Sequence, residues 1–311
     1  MRLINTDTLE LEEYFGSDIP AYAILSRTWG KGEVLFQDWI DRGLREAKPG
    51  YRKITMACNY ASGHGHRYLW VDTNCIDKTS SAELTEAINS MFTWYQRSTV
   101  CYAYLEDVPL VEFVKSRWFT RGWTLQELLA PEELIFFDRQ WQKLGDKSLH
   151  LSKLSEATGI ESGYLDGSKH LDDACDAEKM SWVSHRFTTR VEDMAYCMLG
   201  IFNINMPMLY GEGEKAFTRL QQEIIRNGDD QSIFCWTWHQ DTPDEWSSIL
   251  APHPSSFSNY RTTPSSPVIL GRRIEPYSIT NQGLRIRLPI LSTWSYFLTI
   301  LGVGDFRDQF L

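Results

Sequence analysis

Residues 68–105 read YLWVDTNCIDKTSSAELTEAINSMFTWYQRSTVCYAYL, and the fold class follows from this stretch. Tyr68 to Asp72 is an apolar run closed by an acid, and Val100 to Leu105 is a second run followed by Glu106 and Asp107. Between them Leu84, Ile88, Met91, Phe92 and Tyr95 recur at the spacing of one helical face. Two buried strands joined by a crossover helix form a βαβ unit, which calls for a parallel sheet with helices on its faces. The expected class is α/β, a flavodoxin-like parallel sheet flanked by helices.

Working outward, Tyr22 to Ser26 (YAILS) reads as a strand leading into an open loop with Arg27, Trp29, Gly30 and Gly32. A helix begins near Pro49, carries Ile54, Cys58 and Ala61 on one face, and stops at the glycines of GHG, residues 63–65. Thr120 to Leu129 reads as a short helix ended by Pro131, and LIFFD, residues 134–138, as another strand. After Gly145 the chain turns largely helical. Thr189 and Glu192 spell a capping box for a helix ending at Gly200, Glu212 to Arg226 is a second amphipathic helix, and Ser232 to Trp238 reads as a strand. A Pro- and Ser-rich stretch from Pro252 to Pro267 precedes LRIRL and the apolar run from Tyr296 to Val303, a β-rich pattern. The expected organisation is an α/β domain over 1–145, a helical companion region over 146–240 and a β-rich C-terminal region over 241–311.

With 311 residues the chain can bury a substantial core, and its 12 tryptophans are far from a disordered composition. A net charge of −10 argues against nucleic acid and anionic membrane as partners, because neutralising phosphate needs clustered Lys and Arg. Six scattered cysteines without a C-x-x-C pair read as reduced core thiols. The acid-bearing start, MRLINTDTLELEEYF, is unlike a signal peptide, and the run from Tyr296 to Val303 is about half the ~20 residues that span a bilayer. A soluble, cytoplasmic protein is expected.

Several chemistries have no local anchor. GKG at 30–32 lacks P-loop spacing, GHG at 63–65 precedes a strand instead of following one, and neither G-x-S-x-G nor H-E-x-x-H occurs. Cys58, His64, His66 and Cys75 match no common zinc module, so no metal is expected there. Cys75 reads as a buried packing thiol before a nucleophile.

Glu83 is contested. Ser80 to Glu83 spells a capping box, in which the Glu side chain returns to the N-cap N–H, yet this helix start follows the strand end at Asp72. Glu83 and free helix N–H groups would then share the sheet edge where α/β proteins bind ligands. Arg121, Trp123, Gln126 and Glu127 in RGWTLQEL fall three or four apart on a helix, a set suited to phosphate and ring recognition or to a buried tryptophan with a salt-bridged arginine.

YAILSRTWG, YLWVDTNCID with Glu83 and Met91, and RGWTLQELLAP resemble, in order, the three signature blocks of the fungal heterokaryon-incompatibility (HET) domain. The stretch from Met180 to Ile224 resembles the segment that follows the domain in many such proteins. The pattern departs at Arg27, where an aromatic residue or His is usual, and at Asn74, where Cys or Leu is commoner. The resemblance implies an effector of nonself recognition between fungal cells that triggers programmed cell death. It also implies a distant likeness to TIR domains, some of which cleave NAD⁺ between nicotinamide and ribose. On that likeness Glu83 is the catalytic carboxylate, with Ser26, Trp29, Asp72, Cys75, Arg121 and Trp123 as substrate-binding residues. NAD⁺ then enters as a substrate, with no cofactor and no metal. Partners implied are a second copy of the chain or a separate NLR-type sensor. A non-enzymatic signalling or oligomerisation module is the alternative, and a cysteine hydrolase using Cys75 a third reading.

Overall fold

Residues 1–238, 242–260, 277–281, 283–288, 290–292, 297–299 and 301 are described by a computed structural model. The chain divides into two units, Met1–His170 and Leu171–Leu311.

In the first unit, β1 (Arg2–Asn5) and β2 (Leu11–Glu13) form a hairpin, and β3 (Ala23–Arg27) follows with all five residues buried. Two short helices, α1 (Phe36–Ile40) and α2 (Arg42–Ala47), lead into α3 (Tyr51–Gly63). Then come β4 (Tyr68–Trp70), α4 (Ser81–Arg97) and β5 (Val100–Tyr104), the βαβ unit expected from the sequence. Helix α5 (Thr124–Leu129), strands β6 (Leu134–Phe137) and β7 (Lys143–Asp146), and helices α6 (Leu151–Thr158) and α7 (Ser162–Leu165) complete it.

The seven strands make one sheet in the order β2-β1-β4-β3-β5-β6-β7. Its four central strands run parallel, and the outer strands join antiparallel at both margins. The sheet is therefore α/β as expected, and mixed at its edges. β4 and β5 are not neighbours, since β3 lies between them and pairs with both. Among the parallel strands this gives the order second, first, third, fourth, which is flavodoxin-like, with its topological switch between β3 and β5. In open α/β sheets the ligand crevice lies outside the carboxyl ends of the strands at such a switch point.

Helix α4 spans the segment its apolar periodicity marks and buries Ala87, Ile88, Met91 and Tyr95. β4 is shorter than the apolar run predicts because the chain turns at Val71, whose carbonyl accepts the N–H groups of Asn74 and Cys75. This turn takes Asp72 out of the ladder and presents it at the sheet edge. The predicted helix from Thr120 to Leu129 is split, because the Thr124 hydroxyl caps the Arg121 carbonyl at 2.9 Å and a 3₁₀ turn, Arg117–Thr120, precedes α5.

The second unit contains α8 (Asp176–Val183), α9 (Asp193–Tyr196) and α10 (Lys215–Asn227), with the hairpins β8 (Ser278–Thr280) to β9 (Gly283–Arg285) and β10 (Ile290–Ser292) to β11 (Phe297–Thr299). Two expectations are corrected here. The helix expected to run from the Thr189 cap to Gly200 is only the short α9, with Glu192 at its N-cap position, and the Glu192 carboxylate accepts the N–H groups of Gly211 and Gly213. Ser232 to Trp238 is not a strand. Asp230 caps Ser232, which winds residues 231–234 into a 3₁₀ turn. Residues 261–267 of the run from Pro252 to Pro267, and half of the run from Tyr296 to Val303, lie outside the described residues.

Candidate functional site

Residues that follow β3, β4 and β5 meet at the switch point. Trp29, about half exposed, donates its indole N–H to Asp72 Oδ2 at 2.8 Å. The Lys78 ammonium lies 3.7 Å over the Trp29 ring and 3.4 Å from Asp72 Oδ2. Lys78, Arg27 at 3.9 Å and the Trp29 N–H together outweigh desolvation and hold the Asp72 carboxyl below its ordinary range. Two of the predicted residues, Trp29 and Asp72, thus meet as an aromatic surface with an ionised carboxylate at its edge.

Arg27 is buried and reaches three partners: Thr73 Oγ1 at 2.8 Å, Glu33 Oε2 at 2.6 Å and Asp72 Oδ1 at 3.9 Å. Glu33 also accepts from Lys53 and from the Gly30 N–H. Lys53 lies 3.9 Å from Glu106, which pairs with Arg117. The Thr73 hydroxyl donates a hydrogen bond to Asn74 Oδ1, and Asn74 donates to the Val34 carbonyl. The two positions that depart from the HET pattern, Arg27 and Asn74, are therefore joined through Thr73.

Beneath the crevice Ser26 is fully buried, donating to Glu127 Oε2 and accepting the Trp118 indole N–H at 2.8 Å. Desolvation pushes the Glu127 carboxyl up to about 8, opposed by Ser26 and Arg27. Ser26 therefore faces the core and not the crevice, and Glu127 is its partner.

Glu83 follows neither sequence reading in full. Its N–H is capped by Ser80 Oγ at 3.3 Å, but its carboxylate does not return to Ser80. Oε1 takes the Asp77 N–H at 2.7 Å, and both oxygens face Arg2 of β1 in a bidentate pair. Cys75 is buried under the β4 turn, and desolvation pushes its thiol up to about 12 against the opposing effect of the Val71 N–H donated to Sγ, the reverse of what a thiolate nucleophile needs. Arg121 caps the 3₁₀ turn and Trp123 stands at the N-cap of α5, both half-buried. No three His, Cys, Asp or Glu side chains among the described residues are grouped to hold a metal ion.

Glu33, Lys53 and Lys78 were not singled out by sequence reasoning, and Arg27 was marked as a departure from the HET pattern, not as a site residue. The one local signal was a basic residue, Arg27, placed directly against an apolar strand end.

Residues 22–110 match the heterokaryon incompatibility protein (HET) family, and this match contains Trp29, Asp72 and Glu83. The chain is also 46% identical over 221 residues to the vegetative incompatibility protein HET-E-1 of Podospora anserina. This is a HET-domain protein. The similarity to HET-E-1 covers 66% of this chain and 16% of that protein. Residues 215–247 of the HET-domain chain match a domain of unknown function, DUF8212. No solved structure matches it. Among the described residues no helix is long and apolar enough to cross a membrane.

Proposed function

We propose that this chain is a cytoplasmic effector of heterokaryon incompatibility that kills the cell on nonself recognition, acting through the crevice between β3 and β5. The observation that carries the reading is the 46% identity to a vegetative incompatibility protein. The reaction assigned to the crevice is TIR-like hydrolysis of NAD⁺. The bond between ribose C1′ and the nicotinamide nitrogen breaks, nicotinamide leaves neutral, water supplies the new C1′–O bond, and one proton is released. Trp29 offers a face for the nicotinamide ring, Asp72 contacts the ribose, and Glu83 stabilises the oxocarbenium-like charge as carboxylates do in glycoside hydrolysis. A second copy of the chain or a separate sensor supplies the trigger.

Expression in a fungal host tests this reading. Wild type should kill when its trigger is present, and Glu83→Gln or Trp29→Ala should not.

One observation favours a second reading, signalling by assembly without chemistry. The Glu83 carboxylate is taken up by Arg2 and the Asp77 N–H, as in a structural clamp. Killing that survives Glu83→Gln, yet stops when self-association is disrupted, would select this reading.

A further inference from the structure

Glu33 occupies a position built for an anion. Its Oε1 accepts the Gly30 N–H at 2.7 Å and the Lys53 ammonium at 2.9 Å, and its Oε2 lies 2.6 Å from Arg27 Nη1. A backbone amide, an ammonium and a guanidinium converging on one point are the donor set with which proteins hold phosphate. The three donors stand at the C-terminal end of β3 beside the topological switch, where open α/β sheets take their ligands. Here the anion comes from the chain itself.

The carboxylate serves this cradle incompletely. Arg27 is 5% exposed, yet its Nε has no hydrogen-bond partner and its Nη1 meets Glu33 outside hydrogen-bond geometry. Unserved buried donors are uncommon in folded proteins. A carboxylate offers two oxygens in a plane, whereas a pyrophosphate offers more, distributed in three dimensions. The segment carrying Glu33 is also suited to move: Trp29, Lys31 and Gly32 are exposed, and Gly32 takes a φ of +75° that favours glycine. Its backbone is tied by the Gly50 N–H to the Gly32 carbonyl at 3.1 Å, by Lys48 Nζ to the Glu33 carbonyl at 3.4 Å and by the Asn74 amide to the Val34 carbonyl at 2.9 Å, bonds that the loop must give up in part when it moves.

We propose that Glu33 is a built-in stand-in for ligand, and that Arg27, Lys53 and the Gly30 N–H form a pyrophosphate cradle vacated when the Glu33 loop swings out. The ligand class is the pyrophosphate of a nucleotide. While Glu33 is seated the site competes with itself, so apparent affinity is reduced by the fraction of molecules with the loop displaced. Assembly or a sensor that pulls on residues 29–33 would raise affinity without touching the ligand. The inference rests on the crevice being the ligand site of the proposed function, but concerns binding alone and holds whether or not NAD⁺ is cleaved.

Calorimetric titration tests it, with inorganic pyrophosphate and ADP-ribose added separately to wild type, Glu33→Gln, and Glu33→Gln combined with Lys53→Met. Glu33→Gln keeps the side-chain shape and removes the competing charge, so it should bind pyrophosphate about 10- to 100-fold more tightly than wild type. The double variant should lose that gain. Tighter binding of ADP-ribose than of pyrophosphate supports the cradle with a nucleotide as its source, and equal binding supports it with inorganic pyrophosphate as the source. A folded Glu33→Gln with wild-type affinity, or a gain that persists in the double variant, overturns the proposal. Should Glu33→Gln fail to fold, thermal melts of wild type and Lys53→Met in pyrophosphate decide the matter. Stabilisation of wild type alone supports the cradle, and an equal response, or none in either, overturns it.

Discussion

Trp118 donates its indole N–H to the Ser26 hydroxyl at 2.8 Å, and Ser26 donates in turn to Glu127. This relay joins the first and third HET signature blocks inside the core, since Ser26 belongs to YAILSRTWG and Glu127 to RGWTLQELLAP. Ser26→Ala would leave a buried indole N–H unserved and take one donor from the buried Glu127 carboxyl, which keeps Tyr95. We expect a loss of about 2–4 kcal/mol in stability, read by denaturant unfolding. A loss under about 0.5 kcal/mol, the size of an ordinary surface change, would show that the relay contributes nothing.

Glu127 makes stability depend on pH. Its folded value of about 8 lies above the ordinary 4.5, so between these values the folded state holds a proton that the unfolded chain releases. Its contribution is fully present below pH 4.5 and is lost as pH rises through about 8, a decline on the order of 5 kcal/mol. Burial lowers Lys147 to about 8 from 10.5, and it acts with the opposite sign, restoring stability as pH rises above that point. Asp176, pushed up to about 7 by desolvation, declines over the same range, so it is the difference between wild type and Glu127→Gln in melting curves from pH 5 to 7.5 that isolates Glu127. Wild type should lose stability across that range more steeply than Glu127→Gln, and parallel curves would refute the assignment.

The parts of the fold governed by local pattern were legible in the sequence. Residues 81–97 declare a helix by apolar spacing, and β3, β4 and β5 are apolar runs closed by polar residues. The N-terminal hairpin was not legible, because β1 and β2 are three or four residues long and set among acids, and their pairing lies along an edge that only the folded sheet defines. Ser232 to Trp238 has strand composition, but Asp230 captures the Ser232 N–H and winds the chain the other way. The site divides along the same line. Asp72 and Trp29 were visible because each sits at the end of a strand or in its loop. The partners of Ser26 and Arg27 come from 101 and 46 residues away, a pairing no local spacing encodes.

Burial rather than reactivity governs Cys75. With its thiol near 12, a maleimide probe should leave it unmodified in the native protein at pH 7.5 and label it only after unfolding, as mass spectrometry of tryptic peptides would show. Rapid native labelling of Cys75 would revive the cysteine-hydrolase reading.

Arg2 and Glu83 tie the first strand to the start of α4 through a bidentate pair, each side chain about one quarter exposed. Partial exposure keeps the coupling small. A double-mutant cycle of Arg2→Ala and Glu83→Gln should return a coupling of about 0.5–1.5 kcal/mol. Zero coupling would mean that the pair does not hold the strand to the helix, leaving Glu83 free of the clamp that favours the non-enzymatic reading.

The central claim, that the crevice acts on NAD⁺, is tested most directly by nicotinamide release from NAD⁺ by the purified chain at concentrations high enough for self-association. Wild type should turn NAD⁺ over, and Glu83→Gln, with its fold verified by the same melts, should lose at least about 100-fold in rate, the scale of a removed electrostatic stabiliser. Intact NAD⁺ with wild type, or undiminished release by Glu83→Gln, would contradict the account.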